Sequence, residues 1–256
     1  MEAHAHTHSA SGESHTSRKR WPHYFWEFFM LFLAVSLGFL VENQREHYVE
    51  HQREKKFAQL LYEDFKKDTA YINQVIGIKE WRGKKLDSLF YLLSLPDLQK
   101  NSTSLYYYTA FADLNIPFNP NDATIQQLRN SGSLRYFRNP DLYNAITQYY
   151  STCSFYHDAE TPVESNLFLQ ASTMKLFDAD KISSLTTITP DIRNAISAPK
   201  EEMQLLSTDK QIINEFKYHA RSIKLNNDLT IMLLKNIIGP QLINLMNQLK
   251  NEYHLK

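Results

Sequence analysis

Tyr24-Phe25-Trp26-Glu27-Phe28-Phe29-Met30-Leu31-Phe32-Leu33-Ala34-Val35-Ser36-Leu37-Gly38-Phe39-Leu40-Val41 is the stretch from which the rest of the chain is read. Residues 28–41 hold fourteen positions without a charge, and residues 24–41 make eighteen with Glu27 as the one interruption. At about 1.5 Å per residue these reach roughly 27 Å, against a hydrocarbon core of about 30 Å. Length alone leaves a buried core helix open, so the flanks decide. Arg18-Lys19-Arg20 precedes the run, Trp21, Tyr24 and Trp26 supply an interfacial belt, and a densely charged segment begins at Glu42. The reading is a transmembrane helix over 21–43 that meets the lipid bilayer through residues 24–41. Ala34-Val35-Ser36 loosely suits signal cleavage, but apolar residues continue to Val41, so an uncleaved signal anchor is expected. The basic residues lie closer on the N-terminal side. That predicts a single-pass protein of the cell inner membrane with a cytoplasmic N-terminus and a periplasmic C-terminal domain.

The 256 residues carry 28 basic and 28 acidic side chains, which gives no electrostatic case for nucleic acid. Six glycines are few, which disfavours glycine-rich phosphate loops and hairpin-rich β folds. A single cysteine, Cys153, excludes an internal disulfide framework. Residues 1–20 are rich in His, Ser and Thr without an apolar period and read as a disordered tail. His4, His6, His8 and His15 there have the chemistry of borderline metal ligands, although a solvated tail is the plainer reading. Within the span, Ala34 and Gly38 form a small-xxx-small pair through which two copies would approach as a homodimer. Glu27 lies near enough to the aromatic edge to reach the interface.

Residues 42–56 are charged and free of turn residues, so the anchor helix is expected to run on as a solvated stalk. Glu42, Glu46, Glu50 and Glu54 recur every four residues as an acidic stripe, offset in part by Arg45 and Arg53. His47-Tyr48-Val49-Glu50-His51 matches the inverted zincin pattern H-x-x-E-H. A catalytic zinc needs burial, a third ligand and a shielded water, none of which a charged stalk helix supplies. From Phe57, an amphipathic period places Phe57, Leu60, Leu61, Phe65, Ile72, Val75 and Ile76 on one face. Past Gly77 and Gly83 it resumes with Leu86, Leu89, Phe90, Leu93 and Leu95, up to Pro96.

Asp97 to Ser104 reads as a polar loop, and 105–111 as an aromatic segment with Tyr106, Tyr107 and Tyr108 adjacent. A helix over 123–130, capped by Asn121 or Asp122, ends at Gly132. Asn139-Pro140 opens another that buries Leu142, Ile146, Tyr149, Cys153 and Tyr156, with Cys153 as a core residue rather than a nucleophile. Helices follow from Pro162 to Phe177 and between Pro190 and Pro199. The longest begins at Thr208-Asp209, with Ile212, Ile213, Phe216, Ala220, Ile223, Leu229, Met232 and Leu233 towards the core. Gly239-Pro240 bends or breaks it before a last helix. The fold class is mainly α: a membrane helix, a stalk and an all-helical bundle over 44–256.

The opening Glu42-Asn43-Gln44-Arg45-Glu46, then Leu60-Leu61-Tyr62-Glu63-Asp64-Phe65-Lys66-Lys67-Asp68, carries a resemblance, as does Thr124-Ile125-Gln126-Gln127-Leu128-Arg129-Asn130-Ser131-Gly132-Ser133-Leu134-Arg135 with Tyr149-Tyr150. Over most of residues 20–160, and more weakly towards the C-terminus, the chain resembles an uncharacterised family of single-pass membrane proteins common in Bacteroidota. That resemblance implies a membrane anchor and no chemistry. Arg129, Arg135 and Arg138 gather at the central motif, where salt bridges to Asp122 or Asp141 compete with an anionic ligand. No catalytic, cofactor-binding or metal-ligating residue is assigned. The expected function is a non-catalytic interaction or scaffold module with a protein partner, a ligand-sensing helical domain being the alternative and a zinc hydrolase built on His47, Glu50 and His51 the least favoured.

Overall fold

The computed structural model describes residues 21–160 and 163–255, with the backbone alone for 163–165. The tail with its histidines, the Arg18-Lys19-Arg20 cluster and Pro162 lie outside the described residues. The described chain is mainly α, as expected, and its one strand-like feature is an isolated antiparallel bridge between Thr186 and Ile196. It divides into a unit ending at Arg53 and a unit beginning at Glu54.

Helix α1 spans Trp21–Leu93. In the first unit the large apolar side chains of residues 24–41, Leu33 excepted, are exposed. Their ring contacts there, such as Phe25 with Phe29 and Phe28 with Phe32, are between neighbours on the same helix. Ala34 is open, and a Cβ added at Gly38 would meet nothing within 4 Å. Glu27 pairs with His23 at 3.1 Å, one turn back, and Arg45 donates to Glu42 at 2.9 Å as the stalk spacing requires.

The second unit is built around the rest of α1. Gly77 and Gly83 do not interrupt it. At Gly83 a Cβ would come 3.4 Å from the Asn227 side-chain amide, so this glycine serves close helix packing. The polar loop after Pro96 is shorter than expected, because a 3-10 turn over Gln99–Asn101 leads into α2, Ser102–Thr109. A second such turn, Ala110–Ala112, follows at once. Helix α3 is Ala123–Asn130, and Gly132 after it takes the left-handed φ of 65° that a side chain disfavours. Helix α4 is Pro140–Glu160, with Asn139 Oδ1 accepting from the backbone N–H of Asp141 and Leu142 at 3.1 and 3.2 Å.

Helix α5, Val163–Leu176, is followed by a short α6, Ala179–Ser184, that the sequence reading lacks. Between Pro190 and Pro199 only a 3-10 turn, Ile192–Asn194, forms in place of the expected helix. Helix α7, Lys210–Leu233, starts at Asp209, whose carboxylate accepts from Gln211 and Ile212 N–H. It passes through a π segment, Leu234–Ile238, into α8, Gly239–Tyr253. Pro240 has no N–H to give, and the wider π turn accommodates it without ending the helix. Gly239 allows this, since a Cβ there would stand 3.0 Å from the Leu234 carbonyl oxygen.

Two apolar clusters result. One joins α1 at Ala58 to Val75 with α3, α4, the π segment and α8; the other joins α1 at Leu86 to Leu93 with α2, α5 and the first half of α7. Leu142, Ile146, Tyr149, Cys153 and Tyr156 are all buried, as their spacing predicts. Leu60, Leu229 and Met232 are exposed instead. On α7 the inward face at that level belongs to Asn227 and Thr230, whose polar groups meet a polar layer between the two clusters.

Candidate functional site

Most of the buried positions of α1 from Glu54 onwards follow a spacing of four and three, 54, 58, 61, 65, 68, 72, 75, 79, 82, 86, 89 and 93, with Asp64, Ile78 and Gly83 buried alongside that row. That is a helix seam of 3.5-residue period. Four of the seam positions, Glu54, Asp68, Lys79 and Arg82, carry a charge. A buried charge is costly unless it is paired and hydrogen-bonded, and each of the four has partners on other elements.

Glu54 corrects the reading of the stalk as solvated throughout, since it is only 4% exposed. Its Oε1 accepts from the Arg138 backbone N–H at 3.0 Å and from the Tyr253 hydroxyl at 2.7 Å, tying the entry of α4 to the end of α8. Further along α1, Asp64 accepts from Asn121 Nδ2 at 2.9 Å and from Thr124 Oγ1 at 2.5 Å. Asp68 accepts from the Asn121 backbone N–H and the Tyr149 hydroxyl, both at 2.8 Å. Burial pushes the Asp68 carboxyl up to about 6 against the pull of those two hydrogen bonds. Asp64 and Asp68 thus meet Asn121, Thr124 and Tyr149 here, and their visible role is to clamp α3 and α4 onto α1. Asn121 acts in this clamp more than as a helix cap; Asp122, at the cap position, makes no side-chain cap bond.

Between the two clusters lies the more unusual arrangement. Lys79 Nζ is 2.5 Å from Glu160 Oε1 and donates to Asn115 Oδ1 at 3.3 Å, with both members of the ion pair almost wholly buried. Burial lowers the Lys79 pKa, and Glu160 opposes that shift. Arg82 donates Nε to the Phe111 carbonyl at 3.1 Å and Nη2 to the Ala112 carbonyl at 2.6 Å, fixing the 3-10 turn after α2. Burial brings its guanidinium down to about 10, with Asp113 and Glu160 pulling the other way. Asn227 Nδ2 reaches the Lys79 carbonyl at 3.1 Å from α7. Beside this group is a cavity of about 110 Å³ lined by Arg82, Asp113, Asn115, Glu160, Gln170 and Asn226, among others. The Tyr156 hydroxyl stands next to the Glu160 carboxylate. Among the described residues no well-aligned hydrogen bond reaches Glu160 Oε2, a group that ordinarily finds a partner or a water when buried.

The chemistry available here is charge storage and hydrogen bonding. Lys79 is held by its carboxylate and Arg82 by two carbonyls, so neither side chain is poised as a nucleophile or base. Cys153 is buried, and burial pushes its thiol up to about 12, which keeps it protonated and unreactive at neutral pH. His47 and Glu50 stand 3.8 Å apart on an exposed part of α1, and His51 is also exposed. No group of three or more His, Cys, Asp or Glu that would hold a metal occurs among the described residues. In the arginine cluster, Arg135 lies over the Tyr136 ring at 5.4 Å, while Arg138 reaches Glu54 through its backbone.

The sequence reading missed Lys79, Arg82, Glu160 and Asn227. A signal for the first two was present: they fall four and seven residues after Val75, in register with the apolar seam. Glu160 and Asn227 carry no such mark, because their partners are distant in sequence. No family model, curated protein or solved structure matches the chain.

Proposed function

We propose that this chain is a membrane-anchored, non-catalytic helical interaction module. The observation that carries the reading is the exposed apolar surface of residues 24–41, on a helix that is long and apolar enough to cross a membrane. A second stretch, Lys210–Tyr253, passes the same test of length and composition, but it has an inward face that packs into both apolar clusters. We therefore read a single span. The orientation that follows from the basic residues ahead of it has the helical unit in the periplasm and the anchor in the inner membrane.

The buried charges of α1 serve as helix clamps here, which leaves the surface for recognition. Tyr218, Leu225, Leu229 and Met232 form an exposed apolar row on α7, the kind of patch a protein partner covers. Ligand sensing is the second reading, and the cavity beside Glu160 is what favours it. Alkaline carbonate extraction of the full chain tests the anchor: the protein stays with the membrane pellet, and a chain with Leu31, Leu33 and Val35 changed to Arg is released. Release of the unaltered chain refutes the reading. In-cell photocrosslinking from Leu225 tests the partner surface, with a heterologous adduct expected and its loss on Leu229→Arg.

A further inference from the structure

We propose that Trp81, Tyr107, Tyr108 and Phe111 form an aromatic cage for a small quaternary ammonium group, with Lys85 as its resident stand-in. The Lys85 ammonium lies 5.4 Å from the centroid of Phe111, 5.7 Å from Tyr107 and 6.0 Å from both Trp81 and Tyr108. Four rings from two parts of the chain thus converge on one cation. Their arrangement is well supported. Trp81 meets Phe111 edge-on at 5.3 Å, Tyr107 meets Phe111 at 5.1 Å, and Tyr107 meets Tyr108 at 5.0 Å. The buried Arg82, through the carbonyls of Phe111 and Ala112, pins the turn that presents Phe111.

Ring faces attract any cation, but they offer no oxygen to an N–H. A lysine ammonium is a compact, strongly hydrated charge with three donors to satisfy. A trimethylammonium group has no N–H and presents apolar methyls to the rings, so it suits this cage better than the amine now beside it. Lys85 is only partly buried and sits on a flexible stem, so it can leave for water when such a group enters. The shared chemistry is a choline-type head, whether free in solution or on a lipid.

The test uses the full chain in maltoside micelles with Trp21→Phe and Trp26→Phe, which makes Trp81 the sole tryptophan. Choline chloride is titrated against its neutral carbon isostere, 3,3-dimethylbutan-1-ol, and binding is read by Trp81 fluorescence and by calorimetry. A saturable response to choline alone is expected. Removing the competing ammonium in Lys85→Ala, or in Lys85→Gln should the first fold poorly, tightens it by about two- to fivefold. Tyr107→Leu abolishes it. Repeating the titration in phosphatidylcholine nanodiscs separates the two sources: a response already saturated identifies a lipid head group, an undiminished one a free solute. No saturable choline binding by either Lys85 variant, or equal binding of the neutral isostere, overturns the proposal.

Discussion

Replacing Glu160 with Gln removes the counter-charge of Lys79 without changing shape, and the consequence can be worked out from the burial of the pair. Lys79 is 1% exposed and Glu160 3%. Breaking a buried ion pair by removing one partner generally costs about 3–5 kcal/mol. At this site a ceiling applies, because an unpaired buried lysine escapes by giving up its proton. An ordinary lysine pKa of about 10.4 lies about 3.4 units above pH 7, so holding Lys79 neutral there costs at most about 4.6 kcal/mol. At pH 9 the ceiling falls to about 1.9 kcal/mol. The sign follows from proton counting: in Glu160→Gln the unfolded chain binds the proton more tightly than the folded one, so the variant regains stability as pH rises. The expected result in urea unfolding, followed by circular dichroism in micelles, is a destabilisation of about 3–4.5 kcal/mol at pH 7 that falls to no more than about 1.9 kcal/mol at pH 9. Lys79→Met should also be destabilising, and the double variant Lys79→Met/Glu160→Gln should lose about 1–3 kcal/mol less than the two single losses combined. A Glu160→Gln loss that does not change between pH 7 and 9, together with additive single losses, would refute the assignment of this pair.

Asp68 gives a slope of its own. With its carboxyl raised to about 6, the folded state holds that proton more tightly than the unfolded chain, so its contribution is full below about pH 4 and lost as pH rises through 6. The loss amounts to about 3 kcal/mol by pH 8, and Asp68→Asn should flatten the dependence of urea midpoints over that range. Gly132→Ala should cost about 1–2 kcal/mol, from backbone conformation alone, because φ is 65° and nothing lies within 4 Å of the added methyl. A fall in Tm checks it, with Ser133→Ala as the neighbouring control. Asn139→Ala removes the acceptor for two N–H groups at the start of α4 and should cost about 0.5–2 kcal/mol, whereas Asn139→Asp should restore most of it.

Local physics made much of this molecule legible in the residues themselves. The long uncharged run near the start, the apolar period from Phe57, the Asn139 cap, the left-handed Gly132 and the inward face of α4 each follow from neighbours a few positions away, because helix spacing, capping and backbone freedom act over that range. Period alone places residues 229 and 232 inward, yet both are exposed. The inward face goes instead to Asn227 and Thr230, which have partners in Lys79 and Tyr156 across the polar layer, and a period of apolar residues does not register partners. Glu54 looked like one more stalk glutamate until Arg138 and Tyr253 arrived beside it. Lys79 and Arg82 stood in the seam all along, but what they do depends on Glu160 and on the carbonyls of Phe111 and Ala112. A charge can be buried only where its counterpart is delivered, and delivery is the work of the whole fold. The sequence alone could determine the helices and the apolar run; only tertiary structure could decide which charges belong inside.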